Sequence, residues 1–296
     1  MFNFDFYNPT HIVFGKDRLG ELDTLVPKDA KVLITYGGGS AVRSGLIDRI
    51  VKALGNRKVE QFGGIEPNPS LETCERAVAF IKEHGVDFVL AVGGGSVVDA
   101  TKLIVMGATY DGPVIEVMKV GVPEVPVDMV PNPLPFGTVM TLPATGSEMN
   151  NGAVITYGDG KYPVFSSLVF PKFSMLDPTL TFTLPERQVK NGVIDTFVHT
   201  TEQYLTYPVE GRIQDRFSEG ILKTMIEIGK ETVENPENYD IRANHVWAST
   251  LALNGLIGAG VPQDWATHLI GHELTAAYHL DHGITLAIVL PALLEV

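Results

Sequence analysis

Cysteine is almost absent from the chain: Cys74 is the single one in 296 residues. One thiol makes no internal disulfide and cannot build a thiolate-rich metal site, which suits a reducing cytoplasm. Positive charge is also scarce, with 22 Lys and Arg against 35 Asp and Glu and a net charge of −13. Such a chain lacks the field that holds a phosphate backbone, so nucleic acid is not an expected partner. No stretch reaches the roughly 18 apolar residues of a membrane span, so no membrane partner is expected either. The opening MFNFDFYNPT lacks the basic region and apolar run of a secretory signal. The G-x-G-x-x-G motif with its following acidic residue is missing, which excludes the standard Rossmann fingerprint. What is present is a globular composition, 45% hydrophobic and 19% charged, long enough for one large domain or two ordinary ones.

The first half alternates strand and helix patterns. Lys31–Tyr36, Lys58–Phe62 and Asp87–Val92 read as strands. An amphipathic stretch from Ala41 to Leu54 follows the first, and a helix capped by Ser70 and ending near Gly85 follows the second. A third helix runs to Ala108. Strands separated by helices of this length imply βαβ units and a parallel sheet. Residues 111–135 hold six prolines and read as irregular. Phe136–Thr141 resumes as a strand, Ala153–Tyr157 and Tyr162–Ser166 read as a hairpin, and Ser174–Asp177 as a last short strand. From Pro185, suited to a first helical position, the pattern is helical: Gln188–Leu205, Gln214–Ile228, Arg242–Ile257 and Pro262–His279. The expected domains are therefore an α/β dinucleotide-binding domain over 1–184 and an all-α domain over 185–296. Val246–Ile257, apolar on nearly every face, predicts a central buried helix. Ile284–Val296 (ITLAIVLPALLEV) is strongly apolar and needs something to bury against.

Two glycine clusters sit at strand ends. Gly93-Gly94-Gly95-Ser96 joins a strand to a helix, where glycine lets the backbone approach a phosphate and the helix start offers free N–H groups. A tight turn kept for geometry alone is the other reading. Gly37-Gly38-Gly39-Ser40 follows an earlier strand, at a position that meets the adenosine ribose in dinucleotide folds. An acidic side chain there would repel a 2′-phosphate. Glycine and serine, with Arg43 close behind, favour NADP over NAD; a simple turn beside a solvated Arg43 stays open.

Four of the eight histidines lie between 268 and 282. Asp195 and His199 are spaced i, i+4 on a predicted helix and share a face, as do His268 and His272 on a later one. His279 and His282 follow. One carboxylate plus imidazoles suits Zn²⁺ or Fe²⁺. The pair sits in GVIDTFVHTTEQYL, where Val193, Phe197 and Val198 predict a buried face. A buried carboxylate needs a counter-charge, and neither Lys nor Arg stands close in sequence, so a metal would meet the need.

Several long motifs in order give the chain a family resemblance: NPTHIVFGK at 8–16, FGGIEPNPS at 62–70, LAVGGGSVVDATK at 90–102, TLPATGSEMNNGAVI at 141–155, NGVIDTFVHTTEQYL at 191–205 and NGLIGAGVPQDWATHLIGHELTA at 254–276. The chain resembles the iron-containing (group III) alcohol dehydrogenases, in the branch of NADPH-dependent aldehyde reductases and butanol dehydrogenases. The resemblance implies metal ligands at Asp195, His199, His268 and His282, and an unliganded catalytic histidine at His272. It implies a pyrophosphate loop at Gly93–Ser96 with Asp99 behind it, and cofactor-lining residues at Thr141, Thr145 and Ser147. Lys161 looks like the lysine that reaches the cofactor ribose, and Asn68 matches the loop near the adenine. Gly39 and Ser40 stand where NAD-specific relatives carry an aspartate. The implied enzyme is a cytoplasmic homo-oligomer, commonly a dimer, using NADP(H) and one divalent metal to interconvert small aldehydes and primary alcohols. In that scheme the metal polarises the carbonyl, the nicotinamide delivers hydride, and His272 or a water returns the proton. The segment 111–135 departs from the family pattern. Family members continue through further helices, so the resemblance also implies a shortened, incomplete second domain. Two rivals stay open: a metal- and NAD-dependent lyase of the dehydroquinate-synthase type, and an inactive truncated fragment.

Overall fold

The computed structural model describes residues 1–119, 130 and 132–295. The chain divides into two compact units. One is Pro9–Thr141 with Asn151–Asp177; the other is Met1–Asn8 with Leu142–Asn150 and Pro178–Val296.

The first unit is built on a parallel six-stranded sheet in the order β1-β8-β5-β4-β2-β3. The strands are β1 (His11–Phe14), β2 (Lys31–Tyr36), β3 (Lys58–Phe62), β4 (Phe88–Gly93), β5 (Phe136–Met140) and β8 (Phe173–Leu176). Strands β4 and β5 are buried at every position. They read as continuous apolar runs because helices cover both faces of a parallel sheet. The edge strand β1 is four residues long, too short for its alternation to register in the sequence. An antiparallel hairpin of β6 (Gly152–Tyr157) and β7 (Gly160–Phe165) stands apart from this sheet.

The helices follow local signals. The amphipathic stretch 41–54 is two helices, α1 (Leu22–Leu25) having come before: α2 (Ser40–Arg43) and α3 (Leu46–Leu54), parted at Gly45, whose φ of +71° is left-handed. Helix α4 (Leu71–His84) starts where Ser70 Oγ accepts from Thr73 N at 3.3 Å and stops at left-handed Gly85. Helix α5 (Gly95–Gly107) is buried at all positions but Ser96 and Asp99. In the proline-rich segment one helical turn, α6 (Val114–Val117), interrupts the expected irregular chain; residues 120–129 and 131 lie outside the described residues. Strand β2 has β3 on one side and β4 on the other. The strand order therefore reverses there, and open α/β sheets bind ligands in the crevice at such a point, beyond the carboxyl ends of the strands. The two glycine clusters follow β2 and β4.

The second unit is helical: α7 (Glu186–Tyr204), α8 (Arg212–Glu234), α9 (Tyr239–Ala252), α10 (Ala266–Tyr278) and α11 (His282–Leu294). The sequence places one contiguous boundary near 184; the unit also takes in 1–8 and 142–150. The reason is non-local hydrogen bonding. Phe2 N donates to Gly260 O at 2.8 Å, and Asn8 Nδ2 donates to Met149 O and Asn254 O at 2.8 and 3.1 Å. Thr250 Oγ1 donates to Glu148 Oε1 at 2.5 Å. Helix α9 ends five residues earlier than its apolar pattern suggests. Asn254 Oδ1 accepts from Leu256 N at 3.0 Å and Gly255 turns left-handed at φ +91°. The residues it buries are partly polar, Arg242 and His245 among them, while Trp247 is 38% exposed. The apolar segment after His282 forms α11, which buries Leu286 and Val289 and exposes Ile288 and Leu294.

His245 makes this unit acid-sensitive. Burial is the main cause that holds its imidazole down to about 4; the Gly192 carbonyl opposes this and Arg242 adds to it. Below pH 6.5 the unfolded chain takes up a proton that the folded chain refuses. The contribution of His245 to stability is therefore fully present above pH 6.5 and is lost as the pH falls toward 4, by roughly 3 kcal/mol at 1.36 kcal/mol per unit. Chemical denaturation of His245→Gln and the parent at pH 7 and pH 4 should show the parent losing more by about that amount. Parallel losses would refute the assignment.

Candidate metal centre and nucleotide loops

The carboxylate of Asp195, 2% exposed on α7, is the focus of the helical unit. Its Oδ1 lies 3.5 Å from His199 Nδ1, one turn along the same helix. It lies 3.6 Å from His268 Nε2 on α10 and 3.6 Å from His282 Nε2 at the start of α11. Asp195, His268 and His282 each offer a ligand atom, and these atoms lie within 4.8 Å of one another. His199 adjoins them, its ring stacked on His268 at 4.5 Å between centroids. Asp281, which precedes His282, accepts from Asn191 Nδ2 at 2.9 Å and pairs with Arg187 Nε at 3.0 Å. Helix α11 is thereby tied to α7 at the point where His282 emerges.

The electrostatics follow from burial. Burial alone would push the Asp195 carboxyl up, but His199, His268 and His282 hold it well below the usual carboxylate range. Burial pushes His199 down to about 4, with Asp195 opposing. His268 is raised to about 9: burial opposes protonation, but Asp195 and Glu202 outweigh it. Asp195 Oδ1, His199 Nδ1 and His268 Nε2 are fully enclosed and make no hydrogen bond, although they face one another. Buried polar atoms are rarely left so. One carboxylate oxygen and imidazole nitrogens are the donors that zinc or ferrous iron takes, so this set fits a divalent cation.

His272, one turn beyond His268, has its ring centroid 5.2 Å from that of His282 and 6.2 Å from that of His268. It stands beside the cluster and outside the group of mutually close ligand atoms. Two neighbours escaped the reading of the sequence. Trp265 presents its ring at right angles to His268, 5.3 Å away. Glu202 accepts from His268 N at 3.1 Å and from His268 Nδ1. Spacing puts Glu202 on the same face, since Asp195, His199 and Glu202 stand at i, i+4 and i+7 on α7, but does not by itself mark it as part of the site.

In the sheet unit the two glycine loops come together. A Cβ on Gly37 would lie 3.7 Å from Val97 of α5 and 3.2 Å from Ile65 O. At Gly93 a Cβ would meet Val97 Cγ2 at 2.5 Å, so this tight turn into α5 requires glycine. Gly94 caps the helix and Gly95 and Ser96 open it. Gly38 O accepts from Arg43 Nη1 at 3.3 Å, Gly39 is left-handed and Ser40 begins α2. Asn68, also left-handed, lies at the same edge: its N approaches Ser96 Oγ at 3.4 Å and its Oδ1 accepts from Lys161 Nζ at 2.7 Å. Thr141 N donates to Gly93 O at 3.0 Å. Asp99 Oδ2 accepts from Val154 N at 2.9 Å. With Lys102, whose Nζ donates to Gly152 O at 2.6 Å, it pins the hairpin to α5. Thr145 and Ser147 belong to the helical unit, where Ser147 N donates to Thr145 Oγ1 at 3.2 Å.

A nucleotide-type parallel sheet and a helical unit holding a carboxylate–histidine cluster are the parts of a metal- and nucleotide-using enzyme. The pattern of the iron-containing alcohol dehydrogenases matches residues 9–178, and that of the C-terminal part of the same family matches 189–296. The chain belongs to the iron-containing alcohol dehydrogenase family. It is 55% identical to the NADPH-dependent aldehyde reductase YqhD of Escherichia coli, over 99% of this chain and 76% of that protein. It is 44% identical to a probable NADH-dependent butanol dehydrogenase of Bacillus subtilis, over 98% and 75%. The crystal structure of the E. coli protein superposes with a TM-score of 0.94 at 54% identity, covering 99% of this chain and 75% of that one. A butanol dehydrogenase structure from Thermotoga maritima gives 0.92 at 38% identity, covering 100% and 74%. The chain is thus a metal-dependent oxidoreductase of the alcohol and aldehyde class, and the lyase reading is not favoured. Among the described residues no helix is long and apolar enough to cross a membrane.

Proposed function

We propose that the chain reduces small aldehydes with NADPH, using one divalent cation, zinc or iron, held by Asp195, His199, His268 and His282. The observation that carries the reading is the convergence of buried, hydrogen-bond-free donor atoms on Asp195 Oδ1. When bound, the cation polarises the carbonyl oxygen and the reduced nicotinamide supplies the hydride. The chain's own residues do the rest. The backbone at Gly93–Ser96, opening α5, binds the pyrophosphate through free N–H groups. Asn68 holds the Lys161 ammonium in place for the ribose. His272 stands beside the ligand cluster and holds the proton that the product alcohol takes up. A cytoplasmic homodimer completes the proposal, resting on the family resemblance; light scattering reads the assembly state.

Relatives are named for both NADPH and NADH, so the choice between them falls to the loop after β2. Gly39 and Ser40 present no carboxylate to repel a 2′-phosphate, and Arg43 is exposed beside them. A charge-assisted hydrogen bond contributes about 1.5–3 kcal/mol. Arg43→Ala should therefore lower kcat/KM for NADPH by about 10- to 100-fold and leave that for NADH unchanged. Equal losses with both cofactors would remove Arg43 from the argument.

The test of the whole proposal is NADPH consumption with a short aliphatic aldehyde, before and after chelation and after restoring Zn²⁺ or Fe²⁺ separately. Consumption lost on chelation and regained with one metal is the expected result and also selects the metal. Consumption indifferent to chelation overturns the metal assignment.

A further inference from the structure

Glu202 is 6% exposed and grips one residue at two points. Its Oε1 accepts from the His268 backbone N at 3.1 Å and its Oε2 from His268 Nδ1. We propose that Glu202 is a positioning residue that fixes His268 as a cation ligand through Nε2. The inference rests on the metal-site reading above.

The backbone contact comes first. Helix α10 begins at Ala266, and its N-cap, Trp265, supplies no side-chain hydrogen bond. The N–H groups of a helix's first turn have no partner within the helix. His268 is the third residue of α10, so its N–H is one of these orphans, and a carboxylate from α7 satisfies it. The Glu202 backbone is anchored in turn, its O accepting from Asp264 N at 2.9 Å. The start of α10 is thus registered against α7, the helix that carries Asp195 and His199.

The ring contact settles which nitrogen is available. A carboxylate accepts, so Nδ1 carries a proton and donates, and Nε2 is the nitrogen left to face a cation. That nitrogen is enclosed, makes no hydrogen bond and lies 3.6 Å from Asp195 Oδ1. Turning the ring over about Cβ–Cγ would put Cδ2 in place of Nδ1 and Cε1 in place of Nε2, and lose both relations. Stacking on His199 at 4.5 Å and the perpendicular Trp265 ring at 5.3 Å wall the imidazole in place. A carboxylate on the far nitrogen of a ligating histidine also makes the imidazole a stronger donor, and losing such a partner costs 10- to 100-fold in metal affinity.

The experiment measures the Zn²⁺ dissociation constant of the full chain by chelator competition at fixed pH. It compares the parent with Glu202→Gln, Glu202→Asp, Glu202→Ala and Asp195→Ala. It also records the metal-free melting temperature and the visible absorption of the Co²⁺-loaded forms. We expect Glu202→Gln and Glu202→Ala to bind Zn²⁺ about 10- to 100-fold more weakly, Glu202→Ala the worse of the two. Glu202→Asp should recover part of the affinity, and the Co²⁺ spectrum should shift in the Gln variant. Parental affinity and spectrum in Glu202→Gln, with affinity lost in Asp195→Ala, overturn the proposal alone. Parental affinity in Asp195→Ala overturns the metal-site reading, and the proposal with it. Affinity that falls only as the folded fraction falls, with an unchanged Co²⁺ spectrum, reduces Glu202 to a structural part and also overturns it.

Discussion

Asp195→Asn is expected to lower kcat/KM for aldehyde reduction by about three orders of magnitude and to strip the cation, while the chain stays folded. Asparagine keeps the shape of the side chain, so helix α7 need not move. What changes is charge. In the parent, Oδ1 is the common neighbour of His199, His268 and His282 at 3.5–3.6 Å. These three histidines hold the carboxyl ionised against its burial. An amide oxygen is a weaker ligand and cannot offset the charge of a divalent cation. Lewis-acid polarisation is worth several kcal/mol in the transition state, and each 1.36 kcal/mol is tenfold in rate, which sets the expected size. Metal content after dialysis and steady-state kinetics check it, with circular dichroism for the fold. A variant that keeps both metal and turnover would remove Asp195 from the site.

What could be read from the sequence was local. Strands β2 and β4 lie within a residue of their apolar runs, Ser70 caps α4 and Gly85 ends it. The i, i+4 spacing of Asp195 and His199 is enough to place both on one face of α7, but His282 could join them only through the family resemblance, because α11 is a separate helix. Non-local relations were out of reach. Residues 142–150 join the helical unit through contacts such as Glu148 with Thr250, more than a hundred positions apart. Asp99 sits inside a cofactor motif, yet its carboxylate satisfies Val154 N. A half-buried carboxylate answers whichever donor the fold presents, and that donor lies 55 residues on. Glu202 shows the opposite case. Its i+7 spacing from Asp195 was visible, but a third acidic or histidine position on a helix face carries no meaning until a helix is known to end against it.

Gly283→Ala is expected to damage stability and metal binding together. A Cβ at Gly283 would lie 2.7 Å from Asn191 Cα, 2.8 Å from its Cβ and 2.9 Å from its O. Two of these atoms are backbone, so no rotamer change relieves the overlap; α11 must move away from α7. Overpacking of this kind costs typically 1–3 kcal/mol and occasionally more, and rigid walls put this case at the upper end, about 3 kcal/mol. The displacement falls next to His282, whose Nε2 is 3.6 Å from Asp195 Oδ1, and beside Asp281, which Asn191 and Arg187 hold. Binding constellations tolerate about 0.5 Å of misplacement, so Zn²⁺ affinity should fall by at least about tenfold. Gly220→Ala is the matched control. It lies exposed within α8 with nothing within 4 Å of an added Cβ, and helix propensity predicts a gain of up to about 1 kcal/mol. Denaturant titration and chelator competition on both variants decide the matter. If Gly283→Ala melts and binds zinc as the parent does, the α7–α11 contact does not set the position of His282, and the ligand has to be held from its own helix alone.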